Sequence, residues 1–269
     1  TGNIGFELIR NLIKTDSSNK ITAGVRNMKR ATSIFQSFSR LNFVHFDFEN
    51  PETFEIALTG IDRVFLLRPP HISDIDRYFK PLVAMIEKSK IREIVFLSVQ
   101  GAEKSKVIPH NKIERLINAH GLDYIFLRPS YFMQNLTTSL IGDITMKKEI
   151  ILPSGKAKFN WIDIQNIGEV AAILLDNFDE YKNRAIEITG LENENFEKVC
   201  TLINSVIDHP IKFRNVNPIT FYSIKKKEGM VTGMIIVMIL LHFLPRFQKE
   251  PQISDFYEKL TRKKPTDLK

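Results

Sequence analysis

Short apolar segments alternate with helical patterns over the first half of the chain, and this alternation limits the fold more than any other feature. The apolar segments have the length of strands and carry few polar positions, as strands covered on both faces do. They are "KITAGVRN", "LNFVHFDF", "DRVFLLRPP", "REIVFLS" and "DYIFLRP". Helix patterns separate them, including "ATSIFQSF", "PETFEIAL", "IDRYFKPLVAMIEKS" and "NKIERLINAH". The sequence therefore predicts an α/β protein with a doubly wound parallel sheet.

The regularity weakens after residue 130. The segment "WIDIQNIGEVAAILLDN" is typical of a turn followed by a helix, "AIEITG" of a strand and "NFEKVCTLINSVI" of an outlying helix. We expect residues 1–150 to form a nucleotide-binding core. Residues 151–269 would add the remaining sheet elements and a smaller C-terminal α+β lobe that covers the substrate.

Composition excludes several other classes. Hydrophobic residues make up 43% of the chain and charged residues 26%, values typical of globular proteins. The net charge is +7, but the basic residues are mostly scattered and lack an RNA-binding aromatic signature, so we expect no nucleic acid partner. The histidines show no metal-ligand spacing, which argues against a metal site. The single cysteine, Cys200, excludes an intrachain disulfide, and its helical spacing predicts a core position.

The segment Met230–Leu244 is apolar almost all round. A helix of that length spans about 22 Å, which is less than a hydrocarbon core of about 30 Å. We expect a buried or subunit-contact helix, hence a homodimer, and no membrane span. A basic leader with an apolar stretch is not evident at the start, so the expected compartment is the cytoplasm.

The chain opens on "TGNIGFELIRNLI", a glycine turn that leads into a helix. Such a turn cradles a pyrophosphate, because the backbone approaches closely and the helix N-terminus carries partial positive charge. A buried strand normally precedes the turn, and in the strand order 3-2-1-4-5-6 that first strand is central. It is absent from this chain. We expect about seven residues of apolar strand to precede Thr1 in the intact protein.

A cation ends the second expected strand, in "AGVRNMKR". Dinucleotide folds that prefer NAD place a carboxylate there for the ribose hydroxyls, whereas a 2'-phosphate requires a cation. Arg26 occupies this position, with Lys29 and Arg30 behind it. The pattern predicts NADP(H) in preference to NAD(H). The alternative is that these cations form only the solvated start of a helix.

Several segments together resemble the NmrA-like group of atypical short-chain dehydrogenases. They are "TGNIGFELI", "VRN", "FDFENPETFEIALTGIDRVFLLRPP", "IVFLSVQGAE", "HNKIERLINAHGLDYIFLRPSYFMQNL", "WIDIQNIGEVAAILL" and the closing "RKKPTDL". This resemblance, which covers nearly the whole chain, implies a Rossmann-type sheet and NADP(H). The group includes NADPH-dependent quinone reductases and NADP-sensing regulators.

The resemblance also implies cofactor-binding positions in the opening turn and at the carboxyl ends of the strands. They are Gly2, Asn3, Ile4, Gly5, Arg26, Asp47, Phe48, Leu67, Arg68, Ser98, Lys112, Pro129 and Phe132. Gly2 would admit the pyrophosphate, and Gly5 would let the helix pack close to the sheet. Asp47 would border the adenine or cap the following turn, and Arg68 would contact a phosphate or narrow the pocket. Ser98 would line the site or only close its strand.

Ordinary short-chain dehydrogenases use a YxxxK pair for proton transfer. Tyr222 and Lys226 have this spacing but follow the expected strands, so we interpret the match as coincidence. In "PHNKIE", Lys112 matches the family's helix lysine, and His110 precedes it where no tyrosine stands. Lys112 is therefore the catalytic candidate, as a residue that holds the ribose. The alternative is a surface lysine paired near Glu114.

The segment "RPSYFMQN" would form the wall beside the nicotinamide. Tyr131, Phe132 and Asn135 are the substrate candidates, because aromatic side chains suit a flat acceptor. Phe132 is equally suited to a hydrophobic core. We expect an oxidoreductase that transfers hydride from NADPH to a small-molecule acceptor, a quinone or a similar flat electrophile, with water as proton source. The alternative is a non-catalytic NADP(H) sensor that acts through a regulatory protein partner.

Overall fold

The computed structural model describes residues 2–15, 19–38, 40–106 and 108–269. The chain divides into two compact units. The first unit runs up to Pro129 and includes Ile164–Ile188, and the second contains Ser130–Asp163 and Thr189–Lys269. This division differs from a single boundary after residue 150. The first unit takes up Ile164–Ile188 because the strand at the end of that segment joins its sheet.

Helices and strands alternate up to Pro129 in the predicted order. The elements are α1 (Asn3–Lys14), β1 (Ile21–Val25), α2 (Met28–Ile34), β2 (Leu41–His45), α3 (Glu52–Leu58), β3 (Arg63–Leu67), α4 (Ile75–Lys88), β4 (Glu93–Leu97), α5 (Pro109–Ala119) and β5 (Asp123–Pro129). The remaining elements are β6 (Tyr131–Phe132), β7 (Glu149–Leu152), β8 (Phe159–Ile162), α6 (Ile164–Asp176), α7 (Phe178–Tyr181), β9 (Arg184–Ile188), β10 (Asn193–Glu194), α8 (Phe196–Asn204), β11 (Lys212–Asn215), α9 (Pro218–Lys227), α10 (Thr232–Phe243) and α11 (Phe256–Thr261).

Parallel pairing joins the strands of the first unit. The order β3-β4-β5-β9 forms one sheet, and β1 pairs with β2 in another. In the order 3-2-1-4-5-6, β1 and β3 are the neighbours of the first strand. Each of them pairs with one strand only among the residues that the structure describes. The predicted doubly wound α/β fold is confirmed, and its sheet is interrupted at the position expected for the first central strand.

The strands of the first unit read as apolar runs because helices cover both faces of the sheet. In β4, Ile94, Val95 and Phe96 are fully buried. Phe79 and Ile86 of α4 and Ile113 of α5 pack in the same hydrophobic cluster as Ile94 and Phe96.

The second unit is built from short strands and helices. β11 pairs with β7 and β6 with β8 in parallel, whereas β10 pairs with β8 in the antiparallel direction. The segment that begins at Trp161, predicted as a turn, instead starts in strand β8. Burial decides this, because the Trp161 ring lies in the core and its Nε1 donates a hydrogen bond of 3.0 Å to the carbonyl oxygen of Glu194. Cys200 lies in the same core, as predicted, and burial raises the pKa of its thiol to about 11.

One buried amide holds the strands of the second unit. Asn160 Oδ1 accepts hydrogen bonds of 2.7 Å from Ser130 Oγ and 2.7 Å from the Gly190 amide. Its Nδ2 donates 3.1 Å to the Gly190 carbonyl oxygen. A Cβ at Gly190 would lie 1.6 Å from the Trp161 carbonyl oxygen, so this position admits only glycine.

Helices α1 and α6 of the first unit pack closely against each other. A Cβ on Gly168 of α6 would lie 2.6 Å from Glu7 Cβ and 2.9 Å from Leu8 N. The absence of a side chain at Gly168 therefore sets the distance between the two helices. The close packing against the sheet that the sequence predicts for Gly5 stays a prediction, and Gly168 in "NIGEV" was not part of it.

We predict that Gly168→Ala destabilises the protein by about 1–3 kcal/mol, since the new methyl group meets backbone that cannot move alone. Gly233→Ala is the matched control, because a Cβ on Gly233 in α10 meets nothing within 4 Å. Chemical denaturation measures both. Equal stabilities of the two variants would show that the helices can separate without penalty.

Candidate functional site

The carboxyl ends of β3, β4 and β5 lie in register. Leu67 pairs with Leu97, and Leu97 pairs with Leu127. The residues that follow are polar: Arg68, Ser98 and Arg128. Ligands of open parallel sheets bind at this edge.

The N-terminus of α1 lacks a side-chain cap. Gly2 occupies the N-cap position with extended backbone, and its carbonyl oxygen accepts a hydrogen bond of 2.9 Å from the Phe6 amide. A Cβ on Gly2 would meet nothing within 4 Å, and Gly2 and Asn3 are exposed, whereas Ile4 is buried. The first amide groups of the helix are thus accessible to an anion.

Arg26 follows the last residue of β1 and is exposed, as are Lys29 and Arg30 in the first turn of α2. Asn27 caps this helix, because its Oδ1 accepts 2.9 Å from the Arg30 amide. None of the three cations forms an ion pair with a carboxylate in the described parts of the chain. Three cations at a helix N-terminus oppose the helix dipole. The arrangement therefore suits an anionic ligand.

Asp47 caps the turn after β2. Its Oδ1 accepts a hydrogen bond of 3.0 Å from the Glu49 amide. This contact corresponds to the turn-capping alternative that the sequence left open. The neighbouring Phe48 is half-buried and packs against Phe46 and Phe79, with ring centroids 5.0 and 5.1 Å away. Contact of either residue with adenine stays a prediction.

Arg68 organises the loop that follows β3. Its Nη1 donates to the carbonyl oxygens of Pro69, Pro70 and Ile72 at 3.0, 3.1 and 2.6 Å. Its Nε lies 3.5 Å from His110 Nε2 on α5. Burial, and then the charge of Arg68, lowers the pKa of His110 to about 3. His110 is therefore neutral at physiological pH and is not a proton donor beside Lys112.

A buried carboxylate connects the strand ends to α5. Glu114 Oε1 accepts 2.6 Å from Ser98 Oγ and 2.9 Å from Arg128 Nε, and its Oε2 accepts 2.7 Å from Arg128 Nη2. Arg128 Nη1 also donates 2.6 Å to Glu103. Burial opposes the charge of Arg128, but the hydrogen bond and charge of Glu114 raise its pKa. The sequence prediction included Ser98 but missed Glu114 and Arg128. Glu114 lies on α5 in a pattern typical of a charged helix surface, and Arg128 lies near the end of β5.

Lys112 lies on α5 and is exposed. The alternative of a surface lysine near Glu114 agrees with this exposure, although the Glu114 oxygens themselves are bound to Ser98 and Arg128. Lys112 also forms no ion pair with any other carboxylate in the described parts of the chain. Its role toward a ribose stays a prediction.

The substrate candidates fall in the second unit, whereas Leu67 and Pro129 end strands of the first. Tyr131 lies in the aromatic core, with its ring centroid 4.8 Å from Trp161 and 5.3 Å from Phe159. Its hydroxyl lies 3.0 Å from His242 Nε2. Phe132 and Asn135 are half-buried. The hydroxyl of Tyr131 is thus engaged inside the unit, and substrate contacts of the three residues stay predictions.

The His242 ring has a defined protonation state. Its Nδ1 lies 2.7 Å from the Met238 carbonyl oxygen, so Nδ1 carries the proton and Nε2 accepts from Tyr131. Burial lowers the pKa of His242 to about 4 and raises the pKa of Tyr131. The apolar pattern of α10 gave no indication of this hydrogen-bonded pair.

Two other observations limit the candidate site. A surface cleft whose lining includes residues 58–62, 88–90 and 92–93 lies at the amino ends of β3 and β4, so it is not part of the site. The described part of the chain holds no cluster of side chains suited to a metal ion.

The doubly wound parallel sheet defines a Rossmann-like fold, with an uncapped helix N-terminus and with cations after β1 that form no ion pair among the described residues. The profile of the NmrA-like family matches residues 1–268, and the chain belongs to this family.

Individual relatives show how the family is represented. The chain is 30% identical to the prestalk A differentiation protein A of Dictyostelium discoideum, over 81% of this chain and 71% of that protein. It is 24% identical to the NAD(P)H azoreductase of Xenophilus azovorans, over 87% of this chain and 79% of that protein. The structure is similar to that of the NADPH-dependent quinone oxidoreductase from Escherichia coli in complex with NADPH. That comparison has a TM-score of 0.85 and 17% identity, and it covers 99% and 94% of the two chains.

We predict that Glu114→Gln destabilises the protein by about 3 kcal/mol, because it leaves the half-buried Arg128 without its main, buried counter-charge. The control is Glu103→Gln, which removes the partially exposed partner of the same guanidinium and should cost less than about 1 kcal/mol. Urea denaturation distinguishes the two. Similar losses would mean that Glu114 contributes no more than a surface ion pair.

We also predict that His242 makes stability depend on pH. Its folded pKa, about 4, lies below its ordinary value of 6.5, so the unfolded chain binds a proton that the folded chain does not. The stabilisation is complete above the ordinary value and is lost as the pH falls through the folded one, with a slope of up to about 1.4 kcal/mol per pH unit. Denaturation from pH 7 to 4 measures the slope. His242→Gln should reduce it and His209→Gln, an exposed control, should not; unchanged slopes in both would refute the assignment.

Proposed function

We propose that the protein is an NADPH-dependent oxidoreductase that reduces quinones, azo dyes or similar flat acceptors. The observation that carries the proposal is the set of cations after β1. Arg26, Lys29 and Arg30 are exposed, and none of them forms an ion pair with a carboxylate among the described residues. They lie at the N-terminus of helix α2, where the helix dipole favours an acidic side chain. A dinucleotide with a 2'-phosphate supplies the missing anion.

The N-terminus of α1 is a second place at which the residues present fit such a cofactor. The uncapped N-terminus of α1 and the open space around Gly2 would accept the pyrophosphate. When bound, the nicotinamide supplies a hydride. The protein's part is to hold the dinucleotide through Gly2, Arg26 and Lys112 and to position the acceptor. The NADPH complex of the Escherichia coli enzyme and the NAD(P)H azoreductase support this choice.

Proton supply separates this proposal from ordinary short-chain dehydrogenases. His110, the residue two positions before Lys112, is neutral, and the Tyr131 hydroxyl is bound to His242. Acceptors such as quinones take up the hydride first and receive the proton from water. Orientation of the acceptor then accounts for most of the acceleration.

A second candidate is an NADP(H) sensor without turnover. The same absence of an ionisable donor at His110 favours it, because binding alone requires no proton transfer. The two candidates share the cofactor site and differ in one measurement. Oxidation of NADPH in the presence of a soluble quinone or an azo dye supports the reductase, whereas tight NADPH binding without oxidation supports the sensor.

We predict that Arg26→Asp raises the Kd for NADPH at least about tenfold, the value of a lost charge-assisted hydrogen bond. The Kd for NADH should change much less, since NADH lacks the 2'-phosphate. Arg115→Asp, which changes an exposed cation of α5 by the same charge, is the control. Fluorescence titration with both cofactors gives the constants. Equal weakening of NADPH and NADH would show that Arg26 does not contact the additional phosphate.

A further inference from the structure

Helix α10 has two apolar faces, and only one of them is covered. Ile235, Met238 and His242 are buried in the core of the second unit. The opposite face carries a stripe of side chains that are each 44–50% exposed: Ile236, Val237, Leu240, Leu241 and Leu244. Phe247, in the turn that follows, is 74% exposed. These residues recur at helical spacing and so form one continuous surface. We call these five side chains, together with Phe247, the apolar stripe.

Soluble monomers rarely expose a contiguous apolar patch of this kind, and such patches mark contact surfaces. The sequence from Gly229 to Lys249 contains no aspartate or glutamate. A segment of this length without an acidic residue is compatible with an anionic partner.

Cations stand at both ends of the apolar stripe. Lys226 and Lys227 precede α10, and Arg246 and Lys249 follow it, all with exposed side chains. Lys226 Nζ lies 3.2 Å from Thr232 Oγ1 in the first turn of α10. The Arg246 guanidinium lies 5.2 Å from the centroid of the Phe243 ring. The positive charge is therefore held against the ends of the same helix.

The acidic residues that border this segment are already paired. Glu228 accepts from Lys147 and, at 3.0 Å, from Lys225. Glu250 accepts 2.9 Å from Lys158. Neither neutralises the four exposed cations, so the flanks of the stripe are positive.

The charge arrangement distinguishes between two occupants. A second copy of the chain seated on the stripe by a two-fold axis would bring cationic ends together, whether the two helices run parallel or antiparallel. Like charges across an interface oppose association. A bilayer with acidic headgroups complements both ends at once and accepts the apolar side chains between them.

We propose that α10 and the following turn form an interfacial membrane-binding face, with the apolar stripe at the boundary of headgroups and acyl chains and the cations on acidic headgroups. α10 has 12 residues and would lie in the membrane surface. Among the described residues, no helix combines the length and hydropathy required to cross a bilayer. The proposal does not rest on the proposed function.

Vesicle co-sedimentation tests it with the full chain. We expect binding to phosphatidylcholine vesicles that contain about 30 mol% phosphatidylglycerol and little binding to phosphatidylcholine alone. Binding should decrease strongly in about 0.5 M salt, which screens exposed charges.

Two double variants separate the contributions. Lys226→Gln with Arg246→Gln should weaken binding about 25-fold, which corresponds to about fivefold for each cation. Leu240→Gln with Leu244→Gln should weaken it at least about tenfold, since fewer apolar groups enter the lipid. Val206→Gln is the matched control, because Val206 is 81% exposed in the same unit and lies outside the stripe. All these positions are on the surface, and circular dichroism verifies folding.

Three results would overturn the proposal. They are equal binding to neutral and anionic vesicles, no binding to either, or an effect of Val206→Gln as large as that of the leucine variant. Light scattering adds a further one. A dimer that dissociates in Leu240→Gln with Leu244→Gln, without vesicle binding by the original chain, would assign the stripe to a second copy.

Discussion

The buried carboxylate of Glu114 is the interaction on which the site edge of the first unit depends. It connects the end of β4 through Ser98, the end of β5 through Arg128, and α5, to which it belongs. A buried charge is tolerated only when donors surround it, and here Glu114 accepts three hydrogen bonds. The orientation of α5, and with it the positions of His110 and Lys112, therefore follows from this network.

The parallel register gives that network its geometry. Leu67, Leu97 and Leu127 pair across β3, β4 and β5, so the residues after them reach the same edge. At this edge Arg68 donates hydrogen bonds to three loop carbonyl oxygens, and Ser98 donates one to Glu114. These side chains shape the edge, and the cations after β1 remain available for a ligand. The proposed cofactor recognition thus depends mainly on Arg26 and the uncapped start of α1.

The second unit combines an apolar helix with an internal polar pair. Tyr131 and His242 satisfy each other inside an aromatic cluster, which fixes the covered face of α10. The opposite face needs no such pair because it is exposed. One helix can therefore pack in a core on one side and present an apolar stripe on the other. The uniform hydropathy of residues 230–244 predicted a buried or subunit-contact helix and did not distinguish the two faces.

The sequence alone determined the alternation of strands and helices, the doubly wound class and the position of Arg26. These follow from local periodicity and from strand order, in which each residue acts largely through its own element. It also predicted the opening glycine turn, whereas the close contact of α1 and α6 at Gly168 came only from the structure.

Only the tertiary structure decided which polar side chains meet. Glu114 looks like part of a solvated helix face until Ser98 and Arg128 approach it, and His242 looks like one polar interruption in an apolar run until Tyr131 reaches it. The placement of Trp161 in a strand, and of Ile164–Ile188 in the first unit, likewise depends on distant segments. Periodicity records which face of an element is apolar, whereas hydrogen-bond partners far apart in the chain are set by packing, and this is why the sequence could not supply them.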